Sequence, residues 1–166
     1  RQMCIRDRAN LANSMKDAES VLFLGRHVGF PVALEGALKL KEIAYLHAEG
    51  FAAGELKHGP IALIEEGQPV FVIVPSPRGR DSLHSKVVSN IQEIRARGAI
   101  TIVIAEEGDT AVEDYANHVI RIPKAPTLMQ PLLATVPLQI FAAHVAKSKG
   151  YDVDQPRNLA KSVTVE

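Results

Sequence analysis

The sequence predicts a three-layer α/β/α domain built on an open parallel sheet, and three observations carry that prediction. Four short runs rich in Val, Ile and Phe, "VLFLG" (21–25), "PVFVIVP" (69–75), "AITIVIA" (99–105) and "HVIRIP" (118–123), read as strands buried on both faces. Segments of helical period lie between them at 31–47, 82–97 and 129–149. Each strand run ends near a Gly, a Pro or an acidic residue, so the chain turns where the sheet should end. Strands alternating with helices of this length imply βαβ crossovers, which place helices on both faces of a flavodoxin-like or Rossmann-like sheet.

The elements follow in order. Residues 1–8, "RQMCIRDR", carry charge without an apolar stripe and read as a frayed helix end or as foreign sequence, so the domain is drawn as 9–150. The turn after the first strand, "GRHVGFP", offers Gly25, Arg26 and Gly29 to a phosphate at a helix N-terminus. It lacks the G-x-G-x-x-G spacing, and tight packing is the better account of both glycines.

In the helix that follows, Glu35, Lys39 and Glu42 share one face, while Ala33, Ala37, Leu40 and Ala44 lie towards another. Two readings stand side by side. The charges form a solvated stripe held by pairs such as Glu35 with Lys39, or they line a site, because open parallel sheets bind ligands outside the carboxyl ends of their strands.

"GELKHGP" reads as a shaped loop near a short helix, with His58 either a structural hydrogen-bonding group or a proton carrier. The helix over 82–97 is expected to be capped by Asp81 or Ser82 and to stop at Gly98. Beyond Gly150, residues 151–166 form an irregular tail, disordered or docked. Docking is the expectation, with Leu159, Val163 and Val165 as apolar anchors and Asp152, Asp154, Arg157 and Asn158 fixing the backbone locally.

Composition narrows the function. A chain of 166 residues suits one domain, and at that size about two-thirds of the unfolded surface can be buried. Hydrophobic residues make up 46% and charged residues 23%, and no apolar run is expected to reach the roughly 20 residues that span a bilayer. Nineteen basic residues balance nineteen acidic ones, so no net field draws nucleic acid or an anionic membrane. Cys4 is the only cysteine, which excludes an internal disulfide and makes a reducing cytoplasm the expected location. His27, His47, His58, His84, His118 and His144 form no metal-ligand spacing, and no Ser lies in a G-x-S-x-G elbow. Neither a metal centre nor acyl transfer is expected.

Two stretches, "LGRHVGFPVALEGALKLKEIAYLHAEGFAAGELKHGP" and "DVDQPRNLAKSVTVE", closely resemble the glutamine:fructose-6-phosphate aminotransferase (isomerising) family, the glucosamine-6-phosphate synthases. The resemblance spans 9–166 and looks like the second of two sugar isomerase (SIS) domains in the family's C-terminal half. It implies that Glu42, the glutamate of "KLKE", moves a proton between C1 and C2 of the sugar, and that Lys39 lies beside the reacting sugar. It implies that His58 of "ELKHGP" assists ring opening from the neighbouring subunit, which requires a homodimer with shared sites. It assigns the imine with the open-chain ketose to Lys161 of "NLAKS", with Ala160 lining the sugar.

These residue types suit that chemistry. A carboxylate can take a C1 proton and return it at C2. A lysine amine can attack the C2 carbonyl to give a Schiff base that ammonia displaces, and imidazole near neutral pH can serve the ring oxygen. The resemblance implies fructose 6-phosphate as substrate, glucosamine 6-phosphate as product, and neither cofactor nor metal. Neither the family's glutaminase domain nor its first SIS domain appears in this sequence, and "PSPRGRDS" (75–82) does not reproduce the phosphate loop of the latter. A non-catalytic SIS module that binds sugar phosphate as a regulator is the alternative.

Overall fold

The computed structural model describes residues 9–78 and 83–159. Five strands form one parallel sheet: β1 (Ser20–Gly25), β2 (His47–Ala52), β3 (Pro69–Ile73), β4 (Ile100–Glu106) and β5 (His118–Ile122), in the order β2-β1-β3-β4-β5. This is the flavodoxin-like order, which reverses direction between β1 and β3, and the carboxyl ends of those strands flank the crevice where such sheets take ligands.

Side chains alternate across the sheet. Phe23, Phe71, Ile73, Ile102 and Ile104 enter one core layer, while Leu22, Leu24, Val70, Val72 and Val103 enter the other. The first layer is covered by α1 (Gly29–Lys39) and α3 (Gln130–Ser148), the second by α2 (Leu83–Arg95) and the 3₁₀ turns Ala53–His58 and Pro60–Leu63. The three-layer α/β/α expectation is met. Stacked rings of Phe23 and Phe71, 4.9 Å apart, and a tilted Phe141 4.8 Å from Phe71 bind α3 to the centre of the sheet.

The sequence places all four Val- and Ile-rich strands within two residues of their ends, but it misses β2. The helix expected over 31–47 stops at Lys39, passes through a π-turn over Leu40–Ala44 and gives way to "HAEGFA" as a strand. That strand lacks Val and Ile because α1 lies against it. A Cβ on Gly50 would fall 3.0 Å from the Leu34 nitrogen and 3.1 Å from the Ala33 carbonyl carbon, so only a small residue fits.

Helix α2 ends as expected. Gly98 takes φ 91° and Ala99 N–H reaches back to Ile94 C=O at 3.2 Å, while Gly150 (φ 75°) closes α3 in the same manner with Tyr151 N–H on Ala146 C=O at 2.9 Å. The caps Asp81 and Ser82 lie outside the described residues.

The segment Thr127–Ser148 is long and apolar enough to cross a membrane by length and composition, which corrects the expectation that no stretch would be. Its buried residues Ala134, Leu138, Phe141, Ala142 and Val145 belong to the core layer on the sheet. Its outer side also exposes Leu132 and Val136, so cover of the sheet accounts for only part of its apolar composition. The edge strands carry their polar residues outward: His47 and Glu49 on β2 and His118 on β5 are exposed.

Candidate active site

The tight turn between β1 and α1 sets the position of the charged helix. An added Cβ on Gly25 would lie 2.0 Å from the Gly29 carbonyl oxygen, and one on Gly29 would lie 3.1 Å from Ile73 Cγ2. Close packing accounts for both glycines. The turn is closed by Gly29 N–H donating to Arg26 C=O at 3.0 Å.

Along α1, Val32, Ala33, Gly36 and Ala37 are buried against the sheet and α3, which turns Glu35 and Lys39 to the rim. Lys39 Nζ donates to Glu42 Oε2 at 2.5 Å and lies 3.5 Å from Glu35 Oε1. The three charged side chains are only partly exposed, Lys39 and Glu42 at 26% each. The hydrogen bond to Glu42 raises the Lys39 ammonium above its ordinary pKa against the opposing effect of burial, and Glu35 adds to the rise. Lys39 is thus held as a cation between two carboxylates. The i,i+4 pair of the solvated-stripe reading exists, but the shorter contact runs forward to Glu42 in the π-turn.

That turn ends on Tyr45, which adopts the left-handed conformation (φ 52°, ψ 36°) and donates its N–H to Leu40 C=O. The chain beyond α3 returns to this point. Tyr151 and Val153 pack against the core, the Tyr151 ring meets Tyr45 edge-on at 4.9 Å, and Arg157 N–H donates to the Tyr45 hydroxyl at 2.7 Å. The Arg157 guanidinium lies 4.1 Å from the centre of the same ring. Asp152 Oδ1 accepts from the N–H groups of Asp154 and Gln155, the local bonding expected of it. Residues 151–159 are therefore docked. Leu159, expected as an anchor, is instead 52% exposed, because Tyr151 and Val153 supply the apolar contact.

His58 closes the first 3₁₀ turn, is exposed, and makes no hydrogen bond or ion pair among the described residues. The structure does not join it to Glu42 and Lys39 within one chain. Lys161 and Ala160, like Val163 and Val165, lie outside the described residues. Among the described residues no group of His, Cys, Asp or Glu could hold a metal ion.

A second polar cluster, at the carboxyl ends of β3 and β4, escapes sequence reasoning. Glu106 is 2% exposed and its carboxylate accepts from Ser76 Oγ (2.9 Å), Arg78 (3.1 Å), Gln130 Nε2 (3.1 Å) and Ala125 N–H (3.3 Å). Burial pushes this carboxyl up, but the bonds from Arg78, Ser76 and Ala125 outweigh it and leave it below the usual carboxylate value. The cluster ties two loops and the end of β4 to the start of α3. An acid closing the apolar run "AITIVIA" was the available signal.

A flavodoxin-like parallel sheet, with an ion triad spanning the helix after its first strand and the π-turn that ends it, defines a three-layer α/β domain. The chain belongs to the SIS domain family, whose profile matches residues 14–148. It is 90% identical over 156 residues to the glutamine–fructose-6-phosphate aminotransferase [isomerizing] of Corynebacterium diphtheriae, covering 94% of this chain and 25% of that protein. It is 88% identical to the protein of the same name from Corynebacterium glutamicum, with the same coverage. The solved C-terminal domain of glucosamine-fructose-6-phosphate aminotransferase from Francisella tularensis superposes with a TM-score of 0.81 at 39% identity, over 93% of this chain and 42% of that one. The chain thus spans about a quarter of the length of the curated relatives it matches.

Proposed function

We infer that this domain is the second SIS unit of a glutamine:fructose-6-phosphate aminotransferase and provides part of the site that turns a fructose 6-phosphate imine into glucosamine 6-phosphate. The observation that carries the reading is the docking of the tail on Tyr45. Residues 151–157 meet Tyr45, which ends the turn bearing Glu42, and this supports a site shared by that turn and the C-terminal tail.

In this reading Lys161 attacks the C2 carbonyl of the open-chain ketose and loses water to form an imine. Ammonia from the parent chain's glutaminase displaces the lysine, and Glu42 carries the proton from C1 to C2. Lys39 holds the Glu42 carboxylate in one orientation and offers positive charge to the sugar's developing oxyanion. Ala160 lines the sugar. His58 serves the ring oxygen in the partner's site, for which its exposure and its lack of a partner among the described residues leave it available. The parent is then a cytoplasmic homodimer needing neither metal nor cofactor, and the tail 151–166 belongs to its active site.

The test is chemical trapping in the full-length protein. Borohydride with fructose 6-phosphate should fix a sugar adduct on Lys161, and none should form in Lys161→Arg, whose guanidinium is no imine-forming amine. An adduct on another lysine, or full synthesis by Lys161→Arg, removes Lys161 from the mechanism. The 166-residue chain alone should fold yet make no glucosamine 6-phosphate from glutamine. The alternative, a non-catalytic sugar-phosphate module, gives no use to a carboxylate paired with a lysine beside the residue on which the tail docks.

A further inference from the structure

We propose that Tyr45 is a positioning residue for the reaction, the anchor that holds the tail against the turn bearing Glu42; this rests on the functional reading above. A tyrosine is an unfavourable choice for its own backbone. At φ 52° and ψ 36° the left-handed conformation suits Gly or Asn, and a bulky side chain there carries a local strain. Strain of this kind persists where the surroundings hold the residue for another purpose. The purpose is visible in three contacts made by one side chain. The Tyr45 hydroxyl accepts from Arg157 N–H at 2.7 Å, the ring receives the Arg157 guanidinium at 4.1 Å, and the ring edge meets Tyr151 at 4.9 Å.

The left-handed turn matters to the geometry. It ends the π-turn three residues after Glu42, where the ring meets the returning tail. The two stretches joined by this side chain, 40–45 and 151–157, are more than a hundred residues apart in sequence and share no strand or helix. Apart from these contacts, the packing of Tyr151 and Val153 on the core and the Tyr151 N–H bond to Ala146 C=O, no further hydrogen bond ties the tail to the body of the domain among the described residues. Loss of the anchor frees residues 154–157 and lowers the fraction of time for which the tail lies in place.

The experiment uses the full-length protein with Tyr45→Asn and Tyr45→Phe. Asn tolerates the left-handed region, so the turn survives while ring and hydroxyl are lost. Phe keeps the ring and loses only the hydroxyl. Amide exchange is read in 151–157 and in the sheet, and single-turnover borohydride trapping with fructose 6-phosphate is read at a temperature well below unfolding. Tyr45→Asn should leave the melting temperature and sheet protection at or above wild type, yet cut both tail protection and trapping rate about tenfold. Tyr45→Phe should recover part of both. Opposite movement of stability and trapping separates positioning from a structural role.

Unchanged tail protection and trapping in Tyr45→Asn overturns the proposal, as does a fall in trapping that only follows a fall in melting temperature. If the wild-type protein neither traps sugar nor makes product, the functional reading fails instead, and tail protection alone then decides whether Tyr45 is the anchor.

Discussion

Lys39 Nζ sits 2.5 Å from Glu42 Oε2 and 3.5 Å from Glu35 Oε1, so one ammonium bridges a regular helix and the π-turn that ends it. Glu42→Gln keeps the shape of that partner and removes its basicity. In the full-length protein the proton-transfer step should then fall by about 10²- to 10⁴-fold, measured as loss of C1 deuterium from labelled fructose 6-phosphate. Retention of near-normal exchange assigns the shuttle to another group.

The same pair predicts a pH dependence. Lys39 titrates above its ordinary 10.5 in the folded state. A raised value means that the stabilisation is complete below the unfolded value and is lost as pH climbs through the folded one. Urea midpoints of wild type and Lys39→Met should differ by about 1 kcal/mol at pH 8 and converge above pH 10.5. A gap that stays constant or widens with pH contradicts the pairing.

Glu106 titrates in the opposite sense. Its folded value lies below 4.5, so its contribution is present above that value and disappears as pH falls through the lowered one. Glu106→Ala strips Ser76, Gln130 and Ala125 N–H of their acceptor at a nearly sealed position. It should cost about 2–3 kcal/mol at neutral pH, with the penalty shrinking in acid. Denaturant titration at pH 7 and pH 3.5 measures both.

His58 makes no bond to its own chain among the described residues, and its proposed place is the partner's site. Mixed dimers of full-length His58→Ala and Glu42→Gln subunits should contain one site with both lesions and one with neither. With random exchange, roughly a quarter of wild-type activity should return. Inactive mixed dimers, verified by mass, place His58 in its own subunit's site.

Gly25→Ala tests what fixes the start of α1. Its methyl would lie 2.0 Å from the Gly29 carbonyl oxygen, a backbone atom that cannot swing aside. The change should cost about 3 kcal/mol. Gly29→Ala, which meets the Ile73 side chain at 3.1 Å, should cost about 1 kcal/mol. Equal midpoints for the two variants would show that the first turn yields more readily than its geometry implies.

Most of this fold is legible in the sequence because a sheet buried on both faces must be written in Val, Ile and Phe. The exception is β2, where the close approach of α1 replaces branched side chains with Ala48 and Gly50 and erases the signal. The charges on α1 are readable as a face, but not as a triad directed at Glu42. That depends on a π-turn whose "LKEIA" looks like ordinary helix. Tyr45 and Arg157 are invisible as a pair, since nothing local in either stretch announces a contact across the whole domain. Glu106 needed its loops in place before its burial meant anything.

The open sheet has one more consequence. Its two margins expose rows of backbone donors and acceptors on which another copy could lay a strand and extend the sheet into a ribbon. At β2 such an intruder would meet a short strand with His47 and Glu49 turned to solvent. At β5 it would meet His118 and an Arg121 already drawn to Glu113. Each margin thus sets polar side chains in the path of an incoming strand, an arrangement that discourages edge-to-edge growth of the sheet.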